Sequence, residues 1–134
     1  MSDAPLPTEL FVLAMSVILL FVHIGLQGRL ATRERGLDWN TGPRDGEAKP
    51  LGIKAGRADR ALRNFLETWP AFIALALALA VTGRTGGIAA FGAWLWFLCR
   101  IAYLPLYLYG VPYLRSGAFA LSCVGLFLML IRFL

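Results

Sequence analysis

Residues 60–82 read RALRNFLETWPAFIALALALAVT, a long apolar run with four polar or charged side chains near its start. An apolar run of about 20 residues has the length that crosses the hydrocarbon core of a bilayer as a helix. A charged side chain within such a helix is costly, so it usually faces a protein interior, a partner or a ligand. At about 100° per residue, all four side chains fall within an arc of roughly 100° on one helix face. They are Arg60, Arg63, Asn64 and Glu67. We therefore expect them to share one binding site.

The composition of the whole chain indicates an integral membrane protein. The chain has 134 residues, of which 58% are hydrophobic and 16% charged, and its mean hydropathy is +0.66. The chain is therefore far more apolar than an ordinary soluble domain. Cys99 and Cys123 lie within apolar segments and have neither metal-ligand nor CxxC spacing, so we expect buried free thiols and no metal site.

Four apolar segments predict an all-α fold, a four-helix membrane bundle that forms one domain over residues 1–134. The expected spans are about 10–28, 60–82, 88–109 and 117–134, with a polar loop at about 29–59. Short connections after the second and third spans predict antiparallel neighbours. The first segment lacks the basic residues that precede the core of a signal peptide, so we interpret it as a span.

The distribution of basic residues predicts the orientation. Nine of the 13 Lys and Arg residues fall between Arg29 and Arg63, whereas the turn between spans two and three has only Arg84. By the positive-inside rule the long loop faces the cytoplasm and both termini lie on the opposite side. The use of 11 arginines against two lysines is typical of a GC-rich bacterium, so we expect a bacterial inner membrane.

This topology brings a second polar set to the same depth. Arg100, Tyr103 and Tyr107 share a face of the third span, within an arc of roughly 60°. Arg29 at the end of span one and Arg115 at the start of span four join the same layer. Five arginines, one glutamate, one asparagine and two tyrosines should therefore converge at the cytoplasmic end.

The chemistry of this set favours a ligand with several anionic groups. Guanidinium groups select carboxylates or phosphates, while Glu67 can hold an ammonium group or neutralise an arginine. Glutathione has two carboxylates, one amine and several amides, and an arginine beside its thiol would favour the thiolate. Citrate-like anions and phospholipid headgroups could also pair with most of these side chains.

Two motifs add a resemblance to a known family. Arg60-x-x-x-Asn64-x-x-Glu67, followed by Trp69 and Pro70, resembles the second-helix signature of the MAPEG family, the membrane-associated proteins in eicosanoid and glutathione metabolism. Arg100-x-x-Tyr103-x-x-x-Tyr107 resembles its third-helix signature. The resemblance implies a homotrimer of four-helix subunits that binds glutathione as cosubstrate at the cytoplasmic side, between neighbouring subunits.

The resemblance also implies roles for individual residues. Arg115 matches the arginine proposed to stabilise the glutathione thiolate in catalytic members, although its spacing from Tyr107 departs slightly from the family pattern. Arg63 matches a contact found only in some branches, those resembling prostaglandin E synthase. The implied glutathione contacts are Arg29, Arg60, Arg63, Asn64, Glu67, Arg100, Tyr103 and Tyr107.

Three functions remain open from the sequence. The first is a glutathione-dependent transferase or peroxidase acting on lipophilic electrophiles or lipid hydroperoxides. The second is a non-catalytic relative that binds lipid or a partner. The third is a small multidrug transporter with Glu67 as proton carrier, which the surrounding arginines disfavour because they would keep the acid ionised.

Several of these residues also have a purely structural interpretation. Arg60 and Arg63 can act as anchors that extend to lipid headgroups. Tyr109 and Tyr113 are typical of an interfacial aromatic belt. His23 lies on an apolar helix without a second ligand, which favours a packing role.

Overall fold

Residues 4–134, the part of the chain that the computed structural model describes, contain five helices, and four of them are long and apolar enough to cross a membrane. They are α1 (Thr8–Arg35), α2 (Leu37–Thr41), α3 (Ile53–Val81), α4 (Ile88–Leu108) and α5 (Pro112–Ile131). The predicted all-α fold with four spans is confirmed.

Contacts at the two ends show that successive long helices run antiparallel. At one end, the Glu9 carboxylate near the start of α1 accepts a hydrogen bond from the Gly86 N–H in the α3–α4 turn, at 2.8 Å. At the other end, Arg57 near the start of α3 donates to the Leu108 carbonyl at the end of α4, at 3.1 Å. We call this second end, where α1 and α4 finish and α3 and α5 begin, the basic end.

The helices extend further at the basic end than hydropathy predicted. α1 continues past position 28 to Arg35, and α3 begins at Ile53, so both ends of the predicted loop 29–59 are helical. Polar residues do not end a helix once it has left the apolar layer. α1 ends instead at Gly36, whose φ of 92° is readily adopted only by glycine and whose N–H donates to the Thr32 carbonyl.

A hydrogen-bonded connection ties the loop back to α1. Both carboxylate oxygens of Glu34 accept from the Gly52 N–H, at 3.0 and 2.8 Å, where α3 begins. Arg35 donates to the Lys49 carbonyl at 2.8 Å. A carboxylate is stabilised by the unpaired N–H groups at a helix N-terminus. These contacts fix the position at which α3 enters the bundle.

Stacked aromatic rings fill the bundle interior. Phe72 of α3 and Trp96 of α4 lie nearly parallel, with centroids 4.1 Å apart. Phe65 contacts Trp96 at 5.9 Å and stacks on His23 of α1 at 4.9 Å. All four side chains are buried, as a packing role for His23 requires, but within residues 4–134 neither ring nitrogen of His23 has a hydrogen-bond partner, so the expected satisfied histidine is not found. The rings join three helices by dispersion contacts, which matter most where lipid removes the hydrophobic driving force.

The outer surface of the bundle is apolar along the spans. Phe21, Phe91 and Phe127 are each more than 60% exposed. Cys99 and Cys123 are free thiols, as expected, but they are half-buried and not fully buried. Four apolar helices that present such side chains outward make this an integral membrane protein.

A glycine contact brings α4 and α5 together. A Cβ atom added at Gly125 would lie 2.5 Å from the Gly92 carbonyl oxygen and 2.7 Å from the Trp96 nitrogen. Small residues allow membrane helices to approach closely enough for dispersion contacts to hold them together. The close approach of these two backbones therefore requires glycine.

We expect Gly125→Leu to destabilise the protein by about 1–3 kcal/mol, because the added side chain overpacks this seam. Gly117→Leu is a matched control on the same helix, since no atom lies within 4 Å of a Cβ added there. Thermal unfolding in detergent measures both. Equal melting temperatures for the two variants would contradict the importance of the seam.

Candidate functional site

A cavity of about 420 Å³ opens at the basic end between α3, α4 and α5. This volume lies within the range of small-molecule sites. Its wall combines charged, hydroxyl and aromatic side chains, namely Arg60, Arg63, Asn64, Glu67, Tyr103, Tyr107, Arg115, Ser116 and Phe119.

The structure brings seven of the nine predicted site residues to this cavity. Arg29 and Arg100 do not line it. Arg29 is exposed on α1, a helix that contributes none of the lining residues in the described chain. Arg100 is fully buried instead. Helical periodicity assigns each residue to a face, but it does not fix how deeply a side chain is covered by its neighbours.

Tyr107 links the three helices that form the wall. The Nε of Arg60 on α3 donates to the Tyr107 hydroxyl oxygen at 3.2 Å. The Arg115 guanidinium of α5 lies 4.8 Å from the centre of the same ring. Tyr103 contacts Tyr107 edge-on at 5.5 Å. Cation–π contacts of this kind hold guanidinium groups in place while leaving N–H donors free for a ligand.

Arg100 lies directly behind the cavity wall. Its Nη1 donates to the Asn64 Oδ1 at 2.7 Å. Its guanidinium carbon is 4.3 Å from the centre of the Tyr103 ring and 5.5 Å from that of Phe65. Arg100 thus contacts two residues that line the cavity, Asn64 and Tyr103, without lining it itself, and its direct contact with a ligand stays a prediction.

The cavity carries a surplus of positive charge. Among the described residues its wall contributes three guanidinium groups and one carboxylate, that of Glu67. Arg63 also forms a salt bridge with Asp59 at 3.2 Å, but its side chain is 75% exposed. Salt bridges between exposed side chains are weak. Within residues 4–134 no group of three or more His, Cys, Asp or Glu side chains could hold a metal ion. The site suits an organic anion with more than one acidic group.

Two lining residues were missed by the sequence analysis. Ser116 follows Arg115 directly, and Phe119 lies one helical turn further along α5. Nothing in the sequence separates Phe119 from the apolar residues around it. Tyr109 and Tyr113 are 71% and 90% exposed and do not line the cavity, in keeping with an interfacial role.

A comparison with protein families identifies this chain's family. The model of the MAPEG family matches residues 12–134, a range that covers all four membrane helices almost completely and every residue that lines the cavity. No curated protein matches the chain.

The positive charge of the cavity predicts selective reaction with anionic reagents. We expect Ser116→Cys, in a Cys99→Ala/Cys123→Ala background, to favour an anionic over a cationic methanethiosulfonate. The preference should exceed that of the control Ala48→Cys by about tenfold, the lower end of electrostatic steering. Ala48 is exposed in the loop between a glutamate and a lysine. Labelling rates followed by mass spectrometry test this, and added salt should reduce the difference. Equal preferences at positions 116 and 48 would disprove it.

Proposed function

This chain belongs to the MAPEG family, and we propose that it is a glutathione-dependent membrane transferase or peroxidase acting on lipophilic electrophiles or lipid hydroperoxides. One observation carries the proposal. A single cavity at the basic end gathers three arginines, a glutamate, an asparagine and two tyrosines from three helices.

The charged groups of glutathione match this wall. Its two carboxylates suit the guanidinium groups of Arg60 and Arg63, which can form paired hydrogen bonds with a planar anion. Its ammonium group suits Glu67, the carboxylate of the wall. Asn64 and the tyrosine hydroxyls suit its amides. Glutathione is on this proposal a cosubstrate bound by its charged ends.

Arg115 is the residue proposed to act on the thiol. A nearby cation favours the thiolate, the nucleophilic form of sulfur, over the neutral thiol. In a transferase step the thiolate sulfur forms a bond to an electrophilic carbon, and the leaving group departs with the bonding electron pair. In a peroxidase step two glutathione molecules become a disulfide while the hydroperoxide becomes an alcohol and water. Arg115 stabilises the anionic sulfur from which either reaction starts.

The same proposal includes an assembly and an orientation. The subunits form a homotrimer with glutathione between neighbours, and Arg29, exposed on α1, contacts the ligand of an adjacent subunit. The basic end faces the cytoplasm of a bacterial inner membrane, and both termini lie on the other side. The support for this orientation is the concentration of nine Lys and Arg residues between Arg29 and Arg63.

We expect calorimetric titration of the detergent-purified protein to show glutathione binding. Arg60→Ala and Glu67→Gln should each weaken it about 10- to 100-fold, since a hydrogen bond to a charged group contributes about 1.5–3 kcal/mol. Arg84→Ala, a charge removed at the opposite end of the bundle, should leave the affinity unchanged. Weak heats that are the same in the wild type and both cavity variants would reject glutathione as the ligand.

We expect Arg115→Gln to lower kcat for conjugation of chlorodinitrobenzene or reduction of cumene hydroperoxide by about 10²–10³-fold, the usual loss when a donor to a developing anion is removed. The glutathione Kd should change far less, because the carboxylates are held elsewhere. Steady-state kinetics and calorimetry on the same preparations measure the two effects. A wild type that binds glutathione without turning over any acceptor would favour the non-catalytic alternative.

A further inference from the structure

Arg100 carries a positive charge into the interior of the bundle without reaching the cavity. Its side chain is 0% exposed, and its Nη1 donates to the Asn64 Oδ1 at 2.7 Å. Within residues 4–134 its Nε and Nη2 have no hydrogen-bond partner. Buried charges are normally paired, so the contact with the Asn64 amide is unusually important for both residues.

The bond to Arg100 determines which way the Asn64 amide points. An asparagine side chain has one oxygen acceptor and one NH₂ donor, and the two can exchange places by rotation. A guanidinium group donates only, so it can face the oxygen but not the NH₂ group. Because Asn64 also lines the cavity, its NH₂ group is left to face the ligand.

We propose that Arg100 is a positioning residue that acts through Asn64. It locks the amide so that an N–H donor, rather than a carbonyl acceptor, is presented to the cavity. This selects a ligand with a carbonyl or carboxylate oxygen at that point. The inference rests on the proposed function and goes beyond it. It removes Arg100 from the ligand contacts, and it makes Arg100 determine whether Asn64 presents a donor or an acceptor to the cavity.

The packing around Arg100 makes this control rigid. The guanidinium lies 4.3 Å from the centre of the Tyr103 ring and 5.5 Å from that of Phe65. Tyr103 is itself buried, and Phe65 is stacked against His23. Rings on two helices therefore restrict the movement of the guanidinium.

A double-mutant cycle on the glutathione Kd separates action through Asn64 from direct contact. We would compare the wild type, Arg100→Met, Asn64→Ala and the double variant by calorimetry in detergent. If Arg100 acts through Asn64, the double variant should bind no more weakly than Asn64→Ala alone. If Arg100 contacts the ligand independently, the two losses should multiply, as they do for sites without coupling.

Two conservative variants guard against a purely structural effect. Asn64→Asp keeps an acceptor for Arg100, so the melting temperature should be preserved, but the variant lacks the NH₂ group and should bind as weakly as Asn64→Ala. Arg100→Lys keeps a donor to the Asn64 oxygen and should restore part of the affinity lost in Arg100→Met. If Arg100→Met does not fold, Asn64→Asp still tests the role, because tight glutathione binding by this variant contradicts it.

The outcomes distinguish the two proposals. A wild type that shows no glutathione binding overturns the proposed function and, with it, this inference. A wild type that binds, combined with losses that multiply in the double variant, overturns only the positioning role. Tight binding by Asn64→Asp would also overturn it, because the NH₂ group would then be dispensable.

Discussion

A guanidinium group inside a membrane bundle must be hydrogen-bonded or shielded, since burying an unpaired charge is strongly unfavourable. The structure meets this requirement at Arg100 in part, with the Asn64 oxygen at 2.7 Å and the Tyr103 ring beside the charge, while Nε and Nη2 have no hydrogen-bond partner within residues 4–134. α4 carries the cation and α3 the acceptor, so the contact fixes the depth and rotation of one helix relative to the other. Arg60 and Tyr107 lie on the same two helices, nearer the basic end, and there they form a hydrogen bond in the cavity wall.

Below the polar layer, a different kind of contact holds the bundle together. Stacked rings join α1, α3 and α4, and the seam of Gly92 and Gly125 holds α5 against α4. Neither contact depends on water, so both remain effective within lipid. The seam has a consequence for the site, because it sets the position of α5 and therefore brings Arg115 over the Tyr107 ring. Apolar packing thus positions a charge that lies several turns away.

The sequence predicted the helical class and most of the cavity wall because helical periodicity is rigid. Arg60, Arg63, Asn64 and Glu67 had to share a face once the helix was assigned. Helix ends were less accessible, since hydropathy detects only the part of α1 and α3 inside the apolar layer. The burial of Arg100 depends on how closely neighbouring helices pack, which periodicity does not describe. Phe119 lines the cavity but resembles the lipid-facing residues around it.

The start of α5 has two faces with different surroundings, and this bears on substrate choice under the proposed function. One face presents Arg115, Ser116 and Phe119 to the cavity, whereas Leu114 on the other is 64% exposed on the apolar surface. A thiolate beside Arg115 would therefore share the cavity with the Phe119 ring. The cation favours the reactive form of sulfur, and the ring favours a lipophilic acceptor. Substitutions on α5 should therefore change which acceptor is used, whereas substitutions on α3 should change the affinity for the charged cosubstrate.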